Sequence, residues 1–492
     1  MTLPYNWNEV KMPDVVEWSS GGTPKSDNKK YYNGDIPWLI IGDLNDGIIN
    51  SSTTKITEFG LSNSSAKYVE KDSVLLGMYG SIGKLGIAGM KLTTNQAIAF
   101  TKTLFGINNK YLFYYLKLIK NKLFSLSKGG TQKNISLTVI NSLTIPLPPF
   151  PEQNRIVAKI DSLFSELDNN VTLLKNVKTQ LAIYRQSVLK WAFKGKLTEE
   201  WRKKNKFDSC ETVLENVKII KENERTNNKL FNIDQEFPLY DLPKEWKWVS
   251  IGNISKGVEY GTSAKSSKNG KIVVLRMGNI QNGIFIYNDL VYTSNKKEIE
   301  KYKLFENDVL FNRTNSPELV GKTALYSGAI PSIFAGYLIR LNQISYINAK
   351  YLTYFLNSPH AKECGNIAKT DGVNQSNING TKLSSYPFPI CSKSEQIAIV
   401  AAIESRLSVC DKIEQTIDQT LALSDQLRQS ILKKAFEGRL VPQDPNDEPA
   451  EKLLERIKAE KAAILEKQKQ LRSPGSSKKK QAKVTKKKRG EK

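Results

Sequence analysis

The stretch EQNRIVAKIDSLFSELDNNVTLLKNVKTQLAIYRQSVLKWAFKGKL (152–197) returns as EQIAIVAAIESRLSVCDKIEQTIDQTLALSDQLRQSILKKAFEGRL (395–440). Without a gap, 18 of 46 positions are identical, and most lie toward the two ends. The middle, 169–184 against 412–427, shares no residue but keeps its length. Side-chain identity there is free, while the distance between the ends is kept. From Gln153 to Lys194, and from Gln396 to Glu437, there is no Gly or Pro. Apolar residues fall at Ile156, Ile160, Leu163/Phe164, Leu167, Val171, Leu174, Val177, Leu181, Tyr184 and Val188. In the second copy they fall at Ile399, Ile403, Leu407, Cys410, Ile413, Ile417, Leu421, Leu427 and Ile431. Steps of three and four predict a coiled-coil seam. Each helix of about 42 residues at ~1.5 Å rise would be a rod of roughly 60 Å. Equal lengths favour two rods packed on each other over two helices on separate cores. Antiparallel packing fits a pseudo-twofold molecule; the sequence does not directly exclude parallel packing.

The flanking sequence repeats as well. Leu3-Pro4-x-x-Trp7 recurs as Leu242-Pro243-x-x-Trp246, Gly83-Lys84 as Gly321-Lys322, and Lys110-Tyr-Leu as Lys350-Tyr-Leu. Glu211–Lys218 echoes Glu451–Lys458. A unit of about 220 residues (3–221) is therefore followed by a second (242–461). Each opens with β-rich runs and turns such as Asn33-Gly34 and Asn45-Asp46-Gly47. Ser73–Tyr79, Gln96–Thr101, Ile272–Met277 and Phe334–Leu341 read as strands; Asn109–Leu118 and Ala349–Leu356 read as short helices. The expected fold is α+β: two tandem mixed domains, each followed by a long helix.

Composition narrows the function. The 492 residues are 39% hydrophobic and 25% charged, enough for a real core. No apolar run is long enough for a membrane span, and the start MTLPYNWNEVKMPD does not read as a signal peptide. Four scattered cysteines without CxxC spacing fit a reduced, cytoplasmic protein with no disulfide framework or zinc site. Net charge is +24, and the tail Ser473–Lys492 supplies +8 of it (nine Lys/Arg, one Glu), so the body carries +16. A basic body points to nucleic acid, whose counterions are released when phosphates are neutralised.

Enzyme motifs are absent or broken. An amino-methyltransferase needs a polar acceptor before Pro-Pro-aromatic, but Leu147-Pro148-Pro149-Phe150 offers a leucine. The nearest P-loop, Ser316–Thr323, has Ser316 for the first Gly and loses an amide at Pro317. Pro13-Asp14 with Asp27-Asn28-Lys29 only loosely fits a nuclease pattern. The single histidine, His360, excludes His-rich metal sites and reads as a surface or loop residue. No catalytic or metal-ligating residue is assigned.

Base-edge and phosphate contacts need Lys/Arg, Asn/Gln, Ser/Thr or Tyr on loops. In the first domain these are Lys25, Lys29, Lys30; Tyr79, Ser81, Lys84; and Lys128, Thr131, Gln132, Lys133, Asn134. In the second they are Lys265, Lys268; Arg313, Thr314, Asn315 with Lys322; and Lys369, Asn374, Gln375, Ser376. Asn315, Asn374, Gln375 and Gln132 can pair with adenine, and Arg313 with guanine. Solvated turn residues are the competing reading.

PLPPFPEQNRIVAKI (146–160), SVLKWAFKGKLTEEW (187–201), SILKKAFEGRLVPQDPNDEPAEKLLERI (430–457), GGTPK (21–25) and LPKEWKWVSIG (242–252) resemble specificity (S) subunits of Type I restriction–modification systems. The resemblance covers nearly the whole chain, twice and in order. It implies target-recognition domains at 1–151 and 242–394 and conserved helices at 152–197 and 395–440, packed antiparallel. A linker with a short helix (198–241), a C-terminal short helix (441–472) and a Lys-rich tail (473–492) complete the division. It also implies a non-catalytic subunit that reads a bipartite, asymmetric double-stranded DNA target. Its partners would be two adenine-N6 methyltransferase subunits and two restriction (translocase/endonuclease) subunits. S-adenosylmethionine, ATP and Mg²⁺ would belong to those partners, with no cofactor on this chain. One departure stands out: five residues separate Pro389 from Glu395, where three separate Pro148 from Glu152. Without partners, the chain reads as a two-headed architectural DNA-binding protein; a nuclease or nucleotide-driven enzyme acting alone is the third reading.

Overall fold

Local chemistry sets the helix boundaries. The side chain of Asn108 accepts from the amides of Lys110 and Tyr111, and Asn348 does the same for Lys350 and Tyr351. Such caps satisfy amides that a helix start leaves open. They place helices at Asn109–Leu118 and Ala349–Leu356, the ranges expected from sequence. The long helices run Phe150–Phe193 and Lys393–Phe436, 44 residues each, starting three residues earlier than expected. Both end just before a left-handed glycine, Gly195 (φ 71°) and Gly438 (φ 70°). The computed structural model describes residues 3–128, 133–224, 230–373 and 375–472. These fall into two compact units: residues up to 173 together with those from 420 on, and residues 174–419.

In the first unit, a five-stranded sheet has the order Val16–Ser20, Ile98–Leu104, Val74–Gly77, Leu85–Ala88, Ile48–Ile49. Beside it, Tyr32–Leu39 runs parallel to Leu92–Thr94 within a four-stranded sheet. Asn8–Lys11 pairs antiparallel with Thr144–Leu147, so the start and end of the domain meet under the long helix. The core joins Trp7, Tyr111 and Leu112 to Ile156, Ile160 and Phe164 of the first long helix. Ile431, Leu432, Ala435 and Phe436, the closing end of the second long helix, enter the same core. Phe436 packs its ring on Tyr111 and Tyr115; burying such a ring contributes about 2–3 kcal/mol. The C-terminal helix Ala450–Arg472 adds Leu453 and Ile457.

The second unit repeats this plan. Ser255–Tyr260, Leu338–Gln343, Val309–Asn312 and Thr323–Leu325 form its main sheet, and Ile272–Leu275 runs parallel to Ser332–Phe334. Lys247–Ser250 pairs with Pro387–Ile390. Here Val188, Leu189, Ala192 and Phe193, the closing end of the first long helix, enter the core beside Ile399 and Ile403 of the second. The helix Cys210–Asn223 adds Val213 and Val217. Each unit thus takes its domain from one repeat and its closing helix end from the other.

The long helices run antiparallel within each unit. Asp168 pairs with Arg428 at 2.6 Å in the first; Lys178 with Asp418 (2.8 Å) and Arg185 with Asp411 (2.6 Å) in the second. As the first number rises the second falls. Exposed pairs of this kind are worth ~0–1 kcal/mol each, so they record the direction while apolar burial holds the helices. The seam is narrower than the periodicity suggests: Val177, Tyr184, Ile413 and Leu427 are exposed. A two-helix seam has one covered face, so an apolar step on its flank stays in water.

Three expectations need correction. Phe334–Leu341 is two strands, because a turn closed by Leu338 N–H on the Ala335 carbonyl interrupts it. The difference in spacing before Glu152 and Glu395 disappears. Pro389 corresponds to Pro146, since each carbonyl accepts a tyrosine hydroxyl at 2.8 Å, Tyr351 and Tyr111 respectively. Pro148 corresponds to Cys391, each carbonyl accepting from the side-chain amide of Gln153 or Gln396. His360 is not a free surface residue. It is half-buried near the start of the helix Pro359–Ala368, against Tyr240, Trp248 and Phe355.

Candidate nucleic-acid interface

Backbone hydrogen bonds bring the predicted loops together at one end of the main sheet's strands in each unit. In the first, Gly22 N–H donates to Thr94 O (2.9 Å), Met78 N–H to Ala97 O (2.8 Å) and Ile135 N–H to Met78 O (2.9 Å). Gly80 N–H reaches Lys133 O at 3.0 Å, and Tyr79 bridges Asn134. Thr23 also donates its hydroxyl to Gln96. So the loops that begin at Gly21, Met78 and Lys128 share one rim.

The second unit builds the same rim. Thr262 N–H donates to Phe334 O (2.9 Å), Arg313 N–H to Tyr337 O (3.0 Å) and Ile378 N–H to Arg313 O (2.8 Å). Thr314–Asn315 pairs with Ser376–Asn377, which pairs with Thr370–Asp371. Gly77 N–H on Lys84 O and Asn312 N–H on Lys322 O, both 2.8 Å, close the central loops alike. Gly21 and Gly261 permit the close approach at the first loop. A Cβ there would lie 2.1 Å from Thr94 O and 2.3 Å from Phe334 O, respectively.

The individual residues divide by exposure. Lys25, Lys29, Lys30, Tyr79, Ser81, Lys128, Lys133 and Asn134 are exposed in the first unit, with Lys84 half-buried. Lys265, Lys268 and Gln375 are exposed in the second, and Thr314, Asn315, Lys322 and Lys369 are half-buried. Thr131, Gln132 and Asn374 lie outside the described residues. Ser376 is fully buried and gives its hydroxyl to Asp371, so its side chain braces the hairpin. Arg313 is also engaged: its guanidinium sits 4.8 Å from the Tyr260 ring and donates to Asn377 Oδ1 at 3.2 Å. Lys133 lies over Phe124 at 4.2 Å. Burial, with Lys322 adding its charge, holds the Lys362 ammonium below its ordinary range.

Exposed aromatic side chains on this rim were not among the predicted residues: Tyr260 and Tyr337 stand beside Arg313. Tyr260 ends one strand and Tyr337 immediately precedes another, a signal the sequence does carry. Aligning Gly21-Gly-Thr-Pro-Lys25 with Gly261-Thr-Ser-Ala-Lys265 would also have revealed that the two lysines are equivalent.

Behind the rim, the repeated Glu-Gln pair anchors each domain to its helices. Trp7 Nε1–H donates to Glu152 Oε2 at 3.0 Å, and Trp246 Nε1–H to Glu395 Oε2 at 2.8 Å. Gln153 and Gln396 accept from the amides of Asn108 and Asn348, each at 2.8 Å. The repeated Leu-Pro-x-x-Trp and Glu-Gln signatures are therefore architectural. Among the described residues no group of His, Cys, Asp and Glu could hold a metal ion, and no helix is long and apolar enough to cross a membrane.

Comparison with known proteins agrees with this architecture. A family model described as the Type I restriction modification DNA specificity domain matches residues 4–180 and again 243–423. The Type I restriction enzyme EcoKI specificity subunit of Escherichia coli (strain K12) is 26% identical over 490 residues, covering 94% of this chain and 97% of that protein. The StySPI specificity subunit of Salmonella potsdam is also 26% identical, covering 94% and 96%. The fold is similar to the HsdS subunit from Thermoanaerobacter tengcongensis (TM-score 0.54, 18% identity, 89% and 99% covered). A chain from a study of assembly and conformational transition of the type I R-M system gives TM-score 0.64 at 18% identity, with 89% and 100% covered.

Proposed function

The chain belongs to the Type I restriction–modification DNA specificity family, and on that basis we propose that it is the non-catalytic subunit that reads a bipartite, asymmetric DNA sequence. It scaffolds two adenine-N6 methyltransferase subunits and two ATP-dependent translocase/endonuclease subunits in the cytoplasm. S-adenosylmethionine, ATP and Mg²⁺ serve those partners.

One observation carries this reading. Two rims are built by the same backbone hydrogen bonds but present different side chains on the central loop: Tyr79 and Ser81 on one, Thr314 and Asn315 on the other. A shared frame with different polar groups suits two recognition modules that read different base sequences. The basic charge supplies the sequence-independent attraction to phosphate. Exposed apolar residues on the long helices, such as Leu173, Trp191 and Leu423, are surfaces on which methyltransferase subunits would dock.

The test is single-molecule methylome sequencing of the host with and without this gene, its neighbours intact. Loss of one bipartite adenine-methylated motif on deletion is the expected result. An unchanged methylome, with active methyltransferase subunits present, would leave a DNA-binding protein of another kind.

A further inference from the structure

The two rims divide into what they share and what they do not. Because Gly21 corresponds to Gly261, with each amide donating 3.3 Å to Ile98 O or Leu338 O, Lys25 corresponds to Lys265 four residues on. Because Gly77 corresponds to Asn312 through the Lys84 and Lys322 carbonyls, Lys84 corresponds to Lys322. None of these four lysines forms an ion pair with a described residue, so each ammonium is free of a carboxylate partner there. The positions between them differ. Tyr79 corresponds to Thr314 and Gly80 to Asn315, since Ile135 and Ile378 donate alike to the preceding residues Met78 and Arg313. The second loop is also longer, with nine residues between Asn312 and Lys322 where six separate Gly77 from Lys84.

Two modules that bind the same duplex backbone but read different bases must share their phosphate contacts and differ in their base contacts. We infer that Lys25, Lys84, Lys265 and Lys322 are the sequence-independent phosphate anchors, and that Tyr79-Gly80 and Thr314-Asn315 are specificity-determining positions. Arg313, fixed between Tyr260 and Asn377, is a positioning residue for the second pair. The inference rests on the DNA-specificity reading above.

The experiment selects sequences from a randomised duplex library with the full chain, purified alone and again after co-expression with a Type I methyltransferase subunit. Affinity for the selected site is then measured across a salt series. Lys25→Ala with Lys84→Ala, and Lys265→Ala with Lys322→Ala, should leave the selected consensus unchanged. Each lysine removed should lower the slope of log affinity against log salt by about 0.9. Thr314→Tyr combined with Asn315→Gly should alter one half of the consensus and leave the other intact. A consensus altered by the lysine variants, or unaltered by the exchange, overturns the division of labour while DNA specificity stands. A lysine-to-arginine series at the same four positions keeps charge and should restore the slope; failure to restore it also overturns the anchor assignment. A wild-type selection that enriches no sequence overturns the specificity reading itself, and the division with it.

Discussion

Glu152 and Glu395 open the same motif, accept from equivalent tryptophans and are equally buried, yet only one is fully paired. Glu395 Oε1 accepts from Arg202 (2.6 Å) and Thr198 (2.7 Å) while its other oxygen holds Trp246. Glu152 has Trp7 on one oxygen and no partner on Oε1 among the described residues. The difference originates in the segment after each closing helix end. After the first, the chain reads Thr198 and Arg202; at the corresponding places after the second it reads Val441 and Pro445. A repeated fold keeps the geometry of a junction, while the chemistry of the junction is set by the segment that each copy happens to receive.

Arg202 offers the largest test of that asymmetry. Arg202→Ala leaves a buried carboxylate without its cation, which should cost about 3–5 kcal/mol in the second unit. Amide exchange over residues 393–403 reads it locally; a loss under about 1 kcal/mol would show that the guanidinium is dispensable. Next come the closing glycines, where the two units should behave alike. Gly195→Ala and Gly438→Ala each force a left-handed residue, and their Cβ atoms would lie 2.4 Å from Pro243 and 2.3 Å from Pro4. Each should cost about 2–3 kcal/mol by thermal unfolding; a large inequality would mean the two closures are not equivalent.

His360 separates the two units further at acid pH. Burial, reinforced by Lys194, brings its pKa down to about 4. The unfolded chain takes up this proton at higher pH than the native one, so stability falls as pH drops from the ordinary histidine value toward 4. The first unit carries Lys120 at the corresponding position, at the start of the helix Lys120–Ser125, and so has no imidazole there. His360→Phe should flatten this acid limb in urea unfolding curves; an unchanged limb would assign it to other groups. The smallest effect is at Glu152, whose carboxyl is raised by burial against the opposing Trp7 bond and Arg155 charge. Here the native state holds the proton longer, so this group's contribution falls as pH rises through its raised value. Glu152→Gln should stay within about 1 kcal/mol of wild type at neutral pH and remove that slope. A loss as large as that at Arg202 would erase the distinction between the two carboxylates.

Legibility followed the range of the interactions. Asn108 and Asn348 cap helices two and three residues ahead, and the expected ranges matched. Ile413 and Leu427 satisfied the heptad steps but lie exposed, because periodicity describes a helix face without saying how much of it a single partner covers. Pro389 was matched to the wrong proline because the sequence shows prolines and not the Tyr351 hydroxyl that identifies the equivalent carbonyl. The lysines and polar residues of the rims were recognisable by type. Their convergence was not, since it depends on bonds such as Met78 to Ala97 and Ile378 to Arg313.

The order of amino acids was enough for the duplication, the two long helices, their length and the basic character, because these rest on composition and on neighbours within a few turns. Tertiary packing alone decided that Phe436 closes the domain of Trp7 and Phe193 that of Trp246. It also decided that Arg202 reaches Glu395 while Glu152 keeps an open oxygen. Two nearly identical helix ends could have served either domain. The choice is made by antiparallel packing across hundreds of residues, where apolar burial outweighs any local preference.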